Sequence, residues 1–100
     1  MDLKTLKNTV LADCSSDKSF WTTNGVVCRN IYELASDLAS MNNQIFRYHV
    51  DRSSKKNDFA NWIRHVLGDD VLAERLYAIS DKDLYTDIIK ERIKELECIQ

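Results

Sequence analysis

The sequence predicts an all-α or nearly all-α fold: a compact bundle of five or six short helices, with one small β-hairpin at most. Three observations lead there. Proline is absent and glycine occurs only at Gly25 and Gly68, and these two residue types interrupt helices most strongly. Apolar residues recur three and four apart through most of the chain. Asn, Ser or Asp heads several of those runs, where a side chain can accept from the free amides of a first helical turn. One hundred residues, 44% hydrophobic and 30% charged, read as a single domain spanning 1–100 with a single core.

Taken in order, Leu3, Leu6, Val10 and Leu11 fit a short amphipathic helix ending near Ala12, and "DCSSDKS" reads as loop. "FWTTNGVVCR" follows. Asn24-Gly25 suits the two positive-φ positions of a type I′ hairpin turn, and its flanks are β-prone. "NIYELASDLASM" is the clearest helix, with Ile31, Leu34, Ala35, Leu38 and Met41 on one stripe. Asn30 can cap it, and Glu33 sits three residues on, as in a capping box. "NNQIFRYHV" is a shorter helix capped by Asn42 or Asn43, and "DRSSKKN" a polar loop. "DFANWIRHVLG" is helical again, with Asn57 or Asp58 as its cap and Gly68 as its left-handed stop. "DDVLAERLYAI" restarts at once, with Val71, Leu72, Leu76 and Ile79 expected inward. Ser80 with Asp83 resembles another capping box before a last helix carrying Leu84, Ile88, Ile89, Ile93 and Leu96.

The charge is balanced but uneven. Fourteen bases against sixteen acids give a formal −2, so no global pull toward nucleic acid or anionic membranes exists. From residue 42 to 67, Arg47, Arg52, Lys55, Lys56 and Arg64 face only Asp51 and Asp58, a net of +3. From 68 onward nine acids face five bases, a net of −4. Cys14, Cys28 and Cys98 are far apart, form no C-x-x-C pair and are odd in number, which fits a reducing cytoplasm. The first residues carry no apolar leader, and no stretch nears the roughly 20 apolar residues of a membrane span.

Three pieces, "NIYELASDLASM", "FRYHV" and "KNDFANWIRHVLGDDVLAERL", resemble a small archaeal and bacterial domain of unknown function. Its pattern is Phe-x-x-His followed by Asn-Asp-Phe-x-x-Trp, met here by Phe46, His49, Asn57, Asp58, Phe59 and Trp62. The resemblance spans roughly Phe20 to Ile79 and leaves the first and last helices unmatched. It implies a helical domain and no particular activity.

Chemistry has few footholds. His49 and His65 are sixteen apart and show no metal-ligand spacing, so neither a metal nor any other cofactor is expected. Cys28, His49 and Asp58 can be drawn as nucleophile, base and orienter, but no nucleophile elbow or phosphate-cradling loop accompanies them. Caps and aromatic anchors account for the same stretch: Asn57 or Asp58 at a helix start, Phe59 and Trp62 on one face, and His49 closing a short helix, where its imidazole can bond the last carbonyls or pack beside Trp62. Asp58–Leu67, a Gly68 turn and Asp70–Ile79 have the length of a helix-turn-helix, yet the second helix opens on two acids, which repel phosphate.

The expected function is therefore a non-enzymatic protein-interaction or adaptor module, cytoplasmic, binding a protein partner or a second copy of itself. Its candidate surfaces are the basic Arg47, Arg52, Lys55, Lys56 and Arg64 region and the acidic last helix. Weak nucleic-acid binding through the same cations ranks second, and a small hydrolase or metal protein using His49 and Asp58 third. His49, Asn57, Asp58 and Trp62 are the residues to locate in the fold.

Overall fold

The computed structural model describes residues 2–100. Helix α1 (Leu3–Val10) and a 3-10 turn (Ser16–Lys18) precede a hairpin of β1 (Phe20–Trp21) and β2 (Val27–Cys28). Then come α2 (Ile31–Ser40), α3 (Asn43–His49) and a second hairpin, β3 (Val50–Asp51) with β4 (Lys56–Asn57). Helix α4 (Asp58–Trp62) runs into a π turn over Ile63–Leu67, followed by α5 (Asp70–Leu76) and α6 (Lys82–Glu97). The protein is mostly α-helical, with six α-helices and two two-stranded antiparallel sheets among the described residues.

Side-chain caps start the helices. Asp2, Asn30, Asn42, Asn57, Asp69 and Asp81 each accept from an amide of the turn that follows. Glu33 reaches back to the Arg29 amide at 2.8 Å, one residue before the expected capping-box partner. At the last helix the cap is Asp81, and Ser80 lies exposed before it.

Several local expectations are corrected. The first hairpin does not close on a type I′ turn. The Thr22 amide donates to the Val26 carbonyl at 2.9 Å and that of Gly25 to the Thr22 carbonyl at 3.0 Å, which leaves a three-residue loop. Gly25 has φ 86° and Asn24 does not share its positive φ; such loops need one left-handed residue, not two. "DRSSKKN" is a second hairpin, pairing Val50 with Asn57 and Asp51 with Lys56, with Lys55 left-handed at φ 57°. The 58–67 helix does not stay α: the amides of Gly68 and Asp69 both donate to the Ile63 carbonyl, at 2.8 and 3.1 Å, so its last turn is wide. Helix α5 stops at Leu76 rather than Ile79. Val71 and Leu84, expected inward, are 46% and 47% exposed, because the next residues of the same turns, Leu72 and Tyr85, are the ones that face the core, at 0% exposure.

Helix α6 packs along both α2 and α5. Leu34 and Leu38 of α2 and Ile89 and Leu96 of α6 are fully buried. Each such side chain contributes roughly 1.5–3 kcal/mol, against at most about 1 kcal/mol for an exposed ion pair, so apolar seams rather than surface charges hold the bundle. One charge pair is internal. Arg92 lies on the apolar stripe of α6 and donates from Nε to Asp69 Oδ2 at 2.8 Å and from a second guanidinium nitrogen to Oδ1 at 3.1 Å. Asp69 is completely buried and also caps α5. No helix among the described residues is long and apolar enough to cross a membrane.

Replacing Asp69 by Ala should lower the unfolding free energy by roughly 3–5 kcal/mol in urea titrations, because it strands the Arg92 charge and uncaps α5. Adding Arg92→Leu should recover most of that loss, as replacement of the whole pair removes the uncompensated charge.

Candidate functional site

The end of α3, the second hairpin and the start of α4 bring His49, Asn57 and Asp58 together. His49 is buried, and both ring nitrogens are engaged. The Thr23 amide of the first hairpin donates to Nε2 at 3.1 Å, which requires a lone pair there. Nδ1 therefore carries the hydrogen and donates to Asp58 Oδ2 at 2.9 Å. Phe20 stands edge-on to the imidazole at 5.2 Å, and Phe59 is tilted against it at 5.0 Å. Sequence spacing placed His49 beside Trp62, but Phe20 contacts both rings, with its own edge against Trp62 at 5.8 Å. The Trp62 indole donates to the Lys18 carbonyl at 2.8 Å.

This dyad has the composition of a general base and its orienter, but the nitrogen a base would use is already held by a backbone amide. No hydrogen bond joins Cys28 to it. Burial pushes the Cys28 thiol up to about 12, and the charges of Asp37 and Glu33 add to that rise, the reverse of what an activated thiolate needs. His65 is exposed on the π turn, where it lines a separate hollow with Cys14, Ser15 and Lys18. No group of three or more His, Cys, Asp or Glu converges in metal-binding geometry among the described residues.

Asn57 is the more connected neighbour. Its Oδ1 accepts from the Ala60 amide at 3.2 Å and from the Tyr85 hydroxyl at 2.6 Å. Its Nδ2 donates to the Leu76 carbonyl at 3.0 Å. One amide thus caps α4, closes α5 and grips α6. Tyr85 is fully buried, and burial raises its phenol well above the ordinary value. The contacts of Tyr85, and the pairing of Asp69 with Arg92, escaped the sequence reading. A signal existed for Arg92, a charge on an apolar helical stripe, which implies a buried partner.

The five cations do not form one face. Arg64 pairs with Asp70 at 3.5 Å and Glu74 at 3.2 Å. Lys56 donates to the Tyr48 carbonyl at 2.7 Å, lies 3.9 Å from the Tyr48 ring centre and 3.6 Å from Asp58. Arg47, Arg52 and Lys55 are exposed and make no ion pair among the described residues. They rim two adjoining hollows of about 350 and 430 Å³, which share Val50 and Arg52. The hollows lie between the second hairpin and the α5–α6 linker.

Asn57→Ala is expected to cost about 2–4 kcal/mol, combining a lost cap with a buried hydroxyl left unsatisfied; a smaller loss in the Tyr85→Phe background would locate the coupling in that bond. The raised thiol gives a pH prediction. Below its ordinary value of 9.0 Cys28 is protonated folded and unfolded; above it the unfolded chain releases the proton first, so stability falls as pH rises from 9 toward about 12. Melts across that window should decline less steeply in Cys28→Ala, most clearly between pH 9 and 10, above which the raised Tyr85 phenol adds a loss of the same sign. At neutral pH iodoacetamide should modify exposed Cys98 and spare Cys28.

The family model described as a family of unknown function, DUF5752, matches residues 40–100. No curated protein and no solved structure matches the chain. The match is displaced from the Phe20 to Ile79 span of the earlier resemblance. It takes in α6, which that resemblance left unmatched, and starts at the last residue of α2. The inclusion of α6 has a physical basis, since the partners of Asn57 and Asp69 lie on it. With more than half of its length matched, the chain belongs to this family of unknown function, DUF5752.

Proposed function

We propose that the protein is a non-enzymatic interaction module whose second hairpin engages an acidic surface of a protein partner. One observation carries this: Arg47, Arg52 and Lys55 stand unpaired around adjoining hollows, whereas nearby Lys56 and Arg64 are matched to carboxylates. Leaving three cations uncompensated on one rim favours an anionic partner and excludes basic ones. The saturated His49–Asp58 pair supports a binding rather than a catalytic role. The cytoplasm suits three unpaired cysteines, one of them fully buried. Nucleic acid has less support: Arg64 is tied to acids, and α5 begins on Asp69 and Asp70, with Asp69 committed to Arg92.

The test is affinity capture on the whole chain, identification of the bound protein, and reconstitution with that partner purified. Reversing Arg47, Arg52 and Lys55 to Glu should weaken the complex about ten- to a hundredfold, and salt should weaken the wild type similarly. Light scattering distinguishes a foreign partner from a second copy. A partner indifferent to the triple reversal, or substrate turnover by the isolated monomer, would end the reading.

A further inference from the structure

We infer that the two hollows flanking Arg52 form one cleft for an extended acidic peptide segment of that partner; this rests on the interaction reading above. The hollows adjoin, with Val50 and Arg52 lining both. Val50, Tyr77 and Ala78 line the first beside Arg52 and Lys55; Arg47, Asp51 and Ser80 belong to the second. The cations are thus strung along a path with an apolar wall beside one stretch of it, and do not converge on a point. Separate carboxylates on an extended chain can meet them one at a time, while an apolar side chain between them lies on Val50 and Tyr77.

A compact, multiply charged group fits less well. Asp51 faces the second hollow, its carboxylate occupied by the Ser53 amide and hydroxyl at 3.0 and 2.7 Å. A phosphate drawn to Arg47 and Arg52 together meets that charge, whereas spaced carboxylates pass either side of it. The rim is preorganised. Asn57 anchors β4 to α5 and α6, and the Asp51–Ser53 bonds with the Lys55-to-Arg52 backbone bond of 3.1 Å close the loop. The backbone of the rim therefore needs little ordering when a peptide arrives, and the cost falls on the exposed cation side chains.

The test is fluorescence anisotropy with the full chain and four labelled probes: a nine-residue Glu-rich peptide with a central Leu, the same peptide with Gln for every Glu, a neutral peptide with one phosphoserine, and a single-stranded oligonucleotide. The Glu peptide should bind, weaken with salt, and weaken about three- to tenfold for each of Arg47→Glu, Arg52→Glu and Lys55→Glu. Those residues are exposed, and unchanged melting temperatures will show that the variants fold. Tyr77→Ala should weaken the Leu-bearing peptide more than a version with Ser in its place. Tighter binding of the phosphoserine peptide or the oligonucleotide would overturn the inference, as would Glu-peptide binding unmoved by Arg52→Glu. Failure of the Glu peptide, with a captured partner still lost on the triple reversal, would overturn the peptide cleft and leave the interaction reading standing. If both were indifferent to the cations, both would fall.

Discussion

The side-chain amide of Asn57 is the constraint on which the rest of the arrangement turns. It sits at 5% exposure, where an unmatched polar group is costly, and it has partners on three helices. No apolar residue of similar size could replace it without leaving the Tyr85 hydroxyl unpaired in the interior and the Ala60 amide uncapped, although the Leu76 carbonyl would keep the Ile79 amide. Its position at the junction of β4 and α4 fixes the hairpin, the helix direction and the neighbouring Asp58 together. From that placement Asp58 can reach His49, and the rim of the hairpin is held against the α5–α6 linker.

Much of this was legible in residue order. Helical stripes and Asn caps at 30, 42 and 57 identify α2, α3 and α4, because those signals are local and obey one period. The two hairpins illustrate where local reasoning thins out. Asn24-Gly25 marks a turn, but its type depends on a hydrogen bond from Gly25 back to Thr22, which composition does not specify. Arg52 to Lys55 reads as loop, because the strands beside it are two residues long and Lys is an unusual occupant of the left-handed region. The π turn had no marker, since Ile63 to Leu67 continue the α-helical stripe unbroken. For the candidate site, clustering of His49, Asn57 and Asp58 followed from short sequence separation. The Thr23 contact, twenty-six residues away, and the division of the cations into paired and unpaired sets are products of tertiary packing.

Charge plays two physical roles in the chain. Asp69 and Arg92 are withdrawn from water and matched bidentately, so their value lies in fixing where α5 begins relative to α6; partners of similar volume and no charge could pack as well. Arg47, Arg52 and Lys55 remain hydrated and unmatched, where each contributes little to folding. Surface cations of that kind can change one at a time, whereas the interior pair can change only as a pair. The family match beginning at residue 40 encloses both sets, yet α2 and Phe20 outside it complete the core.

His49 is held from both sides by segments far apart in the chain: Thr23 grips one nitrogen and Asp58 the other. The first hairpin cannot lift away without giving up both the Thr23 bond to Nε2 and the packing of its Phe20 against His49, Phe59 and Trp62. The bond ties residues 20–28 directly to residues 49–58, so separating the two segments costs each a partner. The Thr23 amide belongs to a surface turn, where hydrogens usually exchange with water quickly. Here the amide is held on His49 Nε2, so its exchange requires the two hairpins to part at that bond.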